Sequence, residues 1–297
     1  YIDLFKKIKS NYILTNSEDF IVSSLFVNSI IPIYFHERIL SREEIKELYN
    51  ELGLIDLKHT YTNVKDKSAE FNNKVNQIIT GLSKESIANH FMDYQISGGA
   101  FLIKGIGEES HAMLHQDWNV VDESKFQSAV IFCAIHDIDE TNGCIQVLKG
   151  SHKWFNNIRG LNNPSPIMEF SKAKKGLISF PLKAGDAIVF RHSVIHGSKP
   201  NFTNQNRIAT MVSIASKDAD YINYVKEENE FKVLKVSANF FNQDFSRLWS
   251  NKSIDEIVLD RFKIKDGMSL VASDYLEAYN NRYPLSTLDK VKKMFNR

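Results

Sequence analysis

The sequence predicts a mainly β protein with helical extensions at both ends, on three observations. Up to about residue 90, apolar residues recur at helical spacing. From about 91 to 216, short segments rich in Ile, Val and Phe alternate with Gly, Asn, Asp and Pro, as strands and turns do. From about 217 to 297 the pattern returns to mixed helix and coil. Since no internal repeat or linker interrupts the chain, we predict a single domain over residues 1–297.

Three amphipathic segments predict the helices of the N-terminal part. The segment "SREEIKELYNEL" begins with Ser41 and carries Glu44 three residues later, which is the pattern of a capping box. The segment "SAEFNNKVNQIITGL" predicts a second helix that ends near Gly81, because glycine often follows a helix. A third, shorter helix is predicted for "SKESIANHF".

The central part predicts the strands of a barrel or a sandwich. Its strand-like segments are "MDYQISGGAFLIKGIG", "SAVIFCAIHDI", "GCIQVLKGS", "GLISFPLKAGDAIVF" and "RIATMVSIAS". The stretch "NNIRGLNNPSPIMEFSKAKKG" is a long polar connection, and we predict that residues 153–176 form a mobile lid outside the core. Farther on, "SIDEIVLDRF" and "STLDKVKKMF" suit mixed helix and coil.

Charge and composition exclude several classes of protein. The chain has 37 basic and 36 acidic residues, a balance that argues against a protein that binds nucleic acid through its phosphates. No apolar run is long enough for a transmembrane helix, and "YIDLFKKIKS" lacks the apolar region of a signal peptide. Cys133 and Cys144 lie among apolar residues, so we expect two buried thiols and a reducing, cytoplasmic location. Tyr1 is not a methionine, which leaves room for residues upstream.

The segment "HAMLHQDWNVVD", residues 111–122, offers two ways to bind a metal. His111 and His115 would share one face of a helix, whereas His115 and Asp117 would share one face of a strand. No helical apolar stripe runs through residues 105–120, so we favour the strand and the pair His115 and Asp117. His111 is then expected at the surface.

A third ligand must come from elsewhere, and "AGDAIVFRHSVIHGSKPN" supplies His192 and His196. His196 is followed by two small residues, which let a ligand approach the backbone. Two histidines and one carboxylate on one face of an octahedron leave three positions open, an arrangement that suits non-haem Fe(II). Arg207 begins a strand after His196 and would face the interior, where a guanidinium needs an anion such as a carboxylate.

These motifs resemble the phytanoyl-CoA dioxygenase family of Fe(II)/2-oxoglutarate-dependent oxygenases. The matching pieces are "HQD" at 115–117, "TNGCIQVLKGSH" at 141–152, "LKAGDAIVFRHSVIHGSKPN" at 182–201, and Arg207, so the resemblance covers about residues 90–216. One departure is Lys149, where the family usually has proline; it affects only the rigidity of a turn.

The resemblance implies a double-stranded β-helix, or jelly roll, of the kind seen in cupins. It implies that His115, Asp117 and His196 bind iron and that Arg207 anchors 2-oxoglutarate, with Ser198 as a helper. Lys104 is a further candidate for contact with the cosubstrate. The implied reaction uses Fe(II), 2-oxoglutarate and O2, and it hydroxylates an unactivated carbon with release of succinate and CO2.

The substrate stays open at this point. We expect a small molecule, amino-acid-like or from specialised metabolism, bordered by Trp118, Trp154 and Arg159. An acyl-CoA, a desaturation or cyclisation outcome, and a cupin-type enzyme without 2-oxoglutarate remain alternatives. The other histidines have simpler explanations: His152 fixes a loop, His192 is a core or surface residue, and His136 with Asp137 lies at a solvated strand end.

Overall fold

The computed structural model describes residues 30–34, 42–54, 56–65, 67–173, 175–242 and 257–284. In these residues the helices are α1 (Arg42–Leu52), α2 (Ala69–His90) and α3 (Ala272–Arg282). The strands are β1 (Ile30–Tyr34), β2 (Thr60–Tyr61), β3 (Tyr94–Lys104), β4 (Ala112–His115), β5 (Ser128–Ala134), β6 (Ile145–Leu148), β7 (Leu177–Phe180), β8 (Asp186–Arg191), β9 (His196–Ser198), β10 (Arg207–Ser216), β11 (Ile222–Glu227), β12 (Glu230–Lys235) and β13 (Ile257–Lys263).

Two antiparallel sheets form the predicted jelly roll. The larger sheet has six strands in the order β1-β8-β5-β10-β3-β2, and the smaller has four in the order β4-β9-β6-β7. Most neighbours in each sheet are not consecutive in sequence, as β10 between β3 and β5 illustrates. This topology brings the "HQD" segment beside β9, about 80 residues later in the chain.

The larger sheet is buried on both faces, and its sequence alternation shows how. On β5, Val130 and Phe132 face the layer between the two sheets. Ile131 and Cys133 point the other way, into the layer beneath α1 and α2. Successive side chains of a strand point to opposite faces, so a continuous apolar run is what a strand covered on both sides requires.

Helix α2 packs directly on β3. A Cβ at Gly99 of β3 would lie 2.9 Å from Ile79 Cγ2, so a side chain there would push the helix away. The predicted break near Gly81 is wrong, because one helix spans both predicted segments. A glycine inside a helix costs about 1 kcal/mol, and the buried face of α2, with Val75, Ile79 and Ile87, offsets that cost.

The C-terminal part differs from the prediction of mixed helix and coil. Strands β11, β12 and β13 form a separate three-stranded sheet. The described part of "SIDEIVLDRF", residues 257–262, lies entirely in β13. Phe262 of β13 packs against Phe231, with ring centroids 6.0 Å apart, and this contact holds the strand in place. The segment "STLDKVKKMF" lies outside the described residues.

Two smaller predictions concern the thiols and the membrane. Cys133 and Cys144 are free and buried, as expected. Among the described residues, no helix combines the length and the apolar character needed to cross a bilayer.

Candidate metal centre

The pairing of β4 with β9 brings three predicted ligands together. His115 at the end of β4 lies directly opposite His196 at the start of β9. Asp117 follows two residues after His115, and its carboxylate oxygens lie 3.9 Å from His115 Nε2 and 3.7 Å from His196 Nε2. One ligand atom from each residue falls within 4.8 Å of the other two. The strand interpretation of "HQD" therefore agrees with the geometry.

Both histidines have the tautomer that a metal needs. His115 Nδ1 lies 2.7 Å from the Met113 carbonyl, and His196 Nδ1 lies 3.0 Å from the Val194 carbonyl. A carbonyl only accepts hydrogen bonds, so each Nδ1 carries the proton and each Nε2 keeps a free lone pair. Such backbone contacts also fix the ring orientation of metal-binding histidines.

Burial and nearby charges favour the neutral imidazole of His196 and the ionised carboxylate of Asp117. Burial lowers the pKa of His196 to about 4, although Asp117 opposes this effect, so the imidazole is neutral at pH 7. Burial alone would raise the pKa of Asp117, but the neighbouring histidines and Arg159 together lower it. A neutral imidazole and an ionised carboxylate are the forms that bind a metal ion. Two such nitrogens and one carboxylate match the facial set used for non-haem Fe(II).

Arg207 and Lys104 form a buried cationic slot on the inner face of the larger sheet. The two residues are direct partners across β10 and β3. Arg207 is 2% exposed, and its Nε and Nη1 have no hydrogen-bond partner among the described residues. Its guanidinium carbon lies 5.2 Å from the centre of the Phe132 ring. A buried guanidinium with free donors is costly unless an anion fills the slot, so the slot fits a carboxylate.

A backbone carbonyl holds Lys104 in the slot. Its Nζ donates to the Ser110 carbonyl at 2.5 Å. Burial, with a smaller contribution from Arg207, lowers the pKa of Lys104 to about 7. Gly143, from the "TNGC" motif, makes room for it, because a Cβ there would lie 2.7 Å from Lys104 Cδ. The motif thus shapes the slot without supplying a ligand.

Ser198 lies two residues after His196 on β9, so both side chains point to the same face. It is buried, and its neighbours across the sheet are Ala112 and Ile145. This is a suitable place for a hydroxyl that assists cosubstrate binding. Gly197 between them is required by packing, because a Cβ there would lie 2.5 Å from the Ala112 carbonyl oxygen.

A cavity of about 270 Å³ opens beside the candidate ligands His115 and Asp117. Trp118 borders it, and the inner face of β3 and β10 forms its floor. The lining residues are Thr62, Val64, Ser97, Gly98, Gly99, Ala100, Leu102, His115, Gln116, Asp117, Trp118, Val120, Val130, His192, Met211, Ser213 and Phe241. Arg207 of the cationic slot and Ser213 of the cavity lining lie on the same inner face of β10, six positions apart. The slot is therefore near the start of this strand, and the cavity extends toward its other end.

Two residues predicted to border the substrate are placed elsewhere. Trp154 packs with Phe155 and with Tyr279 of α3, each ring centroid 6.5 Å away, and it is absent from the cavity lining. Arg159 is fully buried and binds both carboxylate oxygens of Glu123 at 2.7 and 2.8 Å. Its Nε, Nη1 and Nη2 all donate to groups of the protein, and Arg159 is absent from the cavity lining.

The segment predicted as a mobile lid is packed into the fold. Ile158, Leu161 and Met168 are buried. Met168 and Leu114 exchange two backbone hydrogen bonds of 2.9 and 3.2 Å. The sequence suggested a lid because the segment is polar, but its asparagines are used internally, as when Asn163 donates to the Ile158 carbonyl at 2.7 Å. Residues 153–173 are therefore packed against the fold beside the ligand segment, and none of them lines the cavity.

His111, His136 and His192 agree with the simpler explanations, with one addition for His192. The loop-fixing role of His152 stays a prediction, because its buried Nδ1 has no hydrogen-bond partner among the described residues. His111 is exposed, and its Nδ1 contacts the Glu108 carbonyl. His136 Nε2 accepts a hydrogen bond from the Ile208 amide, which ties it to β10. His192 is buried between Ser128 and Ser213, lines the cavity, and accepts the Asp117 amide at its carbonyl, 3.0 Å away.

Helix α3 reaches the ligand segment, which the sequence did not reveal. The Tyr275 hydroxyl donates to Gln116, the residue between the two ligands of "HQD". Gln116 also donates to the Ser193 carbonyl at 2.6 Å, close to β9. The two partners Tyr275 and Gln116 are 159 positions apart, and no local pattern could have linked them.

Known protein sequences are similar to this chain over the part that contains the candidate ligands. The pattern of the phytanoyl-CoA dioxygenase (PhyH) family matches residues 36–209. The dioxygenase olcK of Penicillium canescens is 26% identical over 190 residues, which are 61% of this chain and 59% of that protein. The peroxisomal phytanoyl-CoA dioxygenase of Homo sapiens is 30% identical over 149 residues, 45% of this chain and 43% of that protein. The chain thus matches about two fifths to three fifths of the length of these relatives.

Solved structures with a similar fold are more distant. The α-ketoglutarate-dependent carbocyclase SnoK of nogalamycin biosynthesis is 16% identical, with a TM-score of 0.47 over 72% of this chain and 88% of that one. The epimerase SnoN, solved with Fe3+, α-ketoglutarate and nogalamycin RO, is 13% identical, with a TM-score of 0.47 over 84% and 93%. Neither carries a functional conclusion at this distance. The family pattern, however, spans more than half of the residues, and this chain belongs to the phytanoyl-CoA dioxygenase (PhyH) family.

Proposed function

We propose that this protein is an Fe(II)- and 2-oxoglutarate-dependent oxygenase that hydroxylates an unactivated carbon of a small molecule. The observation that carries the proposal is the guanidinium of Arg207, whose Nε and Nη1 meet no hydrogen-bond partner in the described part of the chain. It lies on the sheet face that also borders the His115, Asp117 and His196 cluster. A cupin-type metal enzyme without 2-oxoglutarate would have the cluster but no use for this buried cation. Family membership supports the same assignment.

Each group of the site has a distinct role in this proposal. His115, Asp117 and His196 would hold the iron, which when bound supplies the chemistry that couples O2 reduction to decarboxylation of 2-oxoglutarate. Arg207 would bind the far carboxylate of the cosubstrate through its free donors, and Lys104 and Ser198 would assist. Trp118 and the cavity walls would orient the substrate carbon and exclude water.

The cavity also bears on the class of substrate. Among the described residues that line the cavity, Asp117, assigned to the metal, is the one that carries a formal charge when the histidines are neutral. A free amino acid would bring an ammonium and a carboxylate into this cavity without opposite charges to meet them, which is costly. The apolar side chains that form most of the wall favour an uncharged carbon framework, as in specialised metabolites. Desaturation or cyclisation of such a framework remains the second candidate outcome.

An acyl-CoA substrate finds less support. The basic segment "SKAKK", residues 171–175, would have to meet the CoA phosphates, and none of its described residues lines the cavity. Lys175 donates instead to the Pro284 carbonyl at 3.4 Å, beside α3. For the compartment, the two buried free thiols suit a reducing environment such as the cytoplasm.

Succinate release from 2-oxoglutarate tests this function. Protein with Fe(II), 2-oxoglutarate and a panel of uncharged metabolites should release succinate, and an excess of chelator should abolish the release. His115→Ala should be inactive, whereas His111→Ala, which changes an exposed histidine four residues earlier, should retain activity. Equal succinate release with and without chelator would contradict the proposal.

A further inference from the structure

Arg159 contacts the backbone of a candidate metal ligand, and no donor of its side chain reaches the cavity. Its Nε donates to the Asp117 carbonyl at 2.6 Å, and its Nη1 donates to the Asn157 carbonyl at 2.9 Å. Its Nη2 binds both carboxylate oxygens of Glu123 at 2.7 and 2.8 Å. The side chain of Arg159 is 0% exposed and that of Glu123 is 15% exposed, so the pair is shielded from solvent.

The backbone of Asp117 is consequently held at both its amide and its carbonyl. Its amide donates to the His192 carbonyl at 3.0 Å, and its carbonyl accepts from Arg159. Two further bonds connect the same segments, because the Arg159 amide donates to Asn119 Oδ1 at 2.6 Å and the Asn119 amide donates to the Arg159 carbonyl at 3.1 Å. The backbone that carries the Asp117 carboxylate therefore has little freedom to move.

We propose that Arg159 is a positioning residue that holds the Asp117 carboxylate in the orientation needed to bind the metal, an inference that rests on the proposed function. The geometry requires an arginine, because three nitrogens of one planar group serve three acceptors in different directions. A lysine at this place keeps the charge but offers one ammonium, which cannot reach Glu123 and both carbonyls together. Glu123 balances the charge of Arg159, so the pair adds little repulsion toward a metal cation.

The alternative is that the pair acts only through charge or only through packing. Two substitutions separate these roles. Arg159→Lys keeps the charge and removes the Nε contact with Asp117. Glu123→Gln removes a charge and keeps the Nε contact. If Arg159 positions Asp117, Arg159→Lys should weaken metal binding more than Glu123→Gln does. If the pair acts through charge, Glu123→Gln should weaken metal binding more.

Titration of the protein with Co(II) alone measures the effect without turnover. For Arg159→Lys we expect the Co(II) dissociation constant to rise about 10- to 100-fold, as is typical when a residue behind a metal ligand is changed. The visible d–d spectrum of the cobalt form should also change. Asn163→Ala is the matched control, since it loosens the same segment by removing the bond to the Ile158 carbonyl and does not touch Asp117. Its Co(II) constant and spectrum should stay as in the wild type.

The outcomes distinguish this inference from the function on which it rests. Failure of the wild type to bind Co(II), or unchanged binding in Asp117→Ala, overturns the metal site itself. If Asp117→Ala loses Co(II) binding while Arg159→Lys keeps the wild-type affinity for Co(II), only the positioning role is overturned. It is also overturned if Asn163→Ala loses as much Co(II) affinity as Arg159→Lys. If Arg159→Lys does not fold, Asn119→Ala serves instead, because it removes the acceptor of the Arg159 amide and leaves the ion pair with Glu123 intact. Weaker Co(II) binding there supports the role, and unchanged binding contradicts it.

Discussion

At the scale of single residues, the guanidinium of Arg207 is the group proposed to bind 2-oxoglutarate. Arg207→Lys should weaken 2-oxoglutarate much more than the metal, since a lysine ammonium cannot match both oxygens of a carboxylate. A charge-assisted bond is worth roughly 1.5–3 kcal/mol, so the cosubstrate constant should rise about 10- to 150-fold. Separate titrations of metal and cosubstrate measure the two effects. The control is Arg261→Lys, which alters an exposed arginine bound to Glu227 and Glu230. Loss of metal with normal 2-oxoglutarate binding would make Arg207 a structural residue.

Lys104 should make cosubstrate binding depend on pH. Because burial and the nearby Arg207 lower its pKa to about 7, Lys104 is cationic below that pH and neutral above it. A bound carboxylate favours the cationic form, so affinity for 2-oxoglutarate should fall as the pH rises from about 6 to about 9. Lys104→Met should bind more weakly at about pH 6 and lose most of this dependence. The Ser110 carbonyl keeps a donor in the variant, namely Thr60 Oγ1 at 2.7 Å. An unchanged slope in Lys104→Met would assign the titration to another group.

At the scale of elements, the packed segment of residues 153–173 should be rigid before any ligand binds. Backbone amides of this segment are hydrogen-bonded to distant parts of the chain, as when Ile158 donates to Met268 at 3.0 Å and Met168 to Leu114 at 2.9 Å. Hydrogen exchange on the free protein should therefore show these amides protected. Rapid exchange of both amides, with protection only after substrate is added, would restore the interpretation of this segment as a lid.

Helix α3 should contribute to stability through Tyr275. Tyr275→Phe removes a buried donor from Gln116 and should lower the free energy of unfolding by about 1–3 kcal/mol. Tyr283→Phe, whose hydroxyl makes a 3.4 Å contact with the Lys149 carbonyl, is the control. It should change the free energy by less than about 0.5 kcal/mol. Urea unfolding measures both, and equal effects would mean that the contact with Gln116 adds nothing.

At the scale of the whole molecule, the strand-rich centre and the His115 and Asp117 pair could be predicted from local signals, whereas the jelly roll and the complete ligand set came from the family resemblance. Strand alternation and the "HQD" spacing each lie within a few residues. Arg159 and Trp154 were assigned to the substrate because a sequence cannot show which polar groups meet internally. Arg159 is satisfied by Glu123, 36 positions away. The C-terminal sheet was missed for a similar reason, since β13 is defined by its pairing with β12 rather than by a buried face of its own.

In the molecule as a whole, the two sheets bring the candidate ligands His115, Asp117 and His196 together beside an apolar cavity, and the buried guanidinium of Arg207 lies on the inner face of the larger sheet. An anaerobic titration of the Fe(II)-loaded protein with 2-oxoglutarate, followed by visible absorption, tests this most directly. Chelation of Fe(II) by a 2-oxo acid produces a charge-transfer band, and we predict that this band appears and saturates when cosubstrate and protein are equal. Asp117→Ala should not develop it, and Arg207→Lys should need more cosubstrate to reach it. A wild-type protein that binds Fe(II) but shows no band, or the same band in Asp117→Ala, would contradict the account.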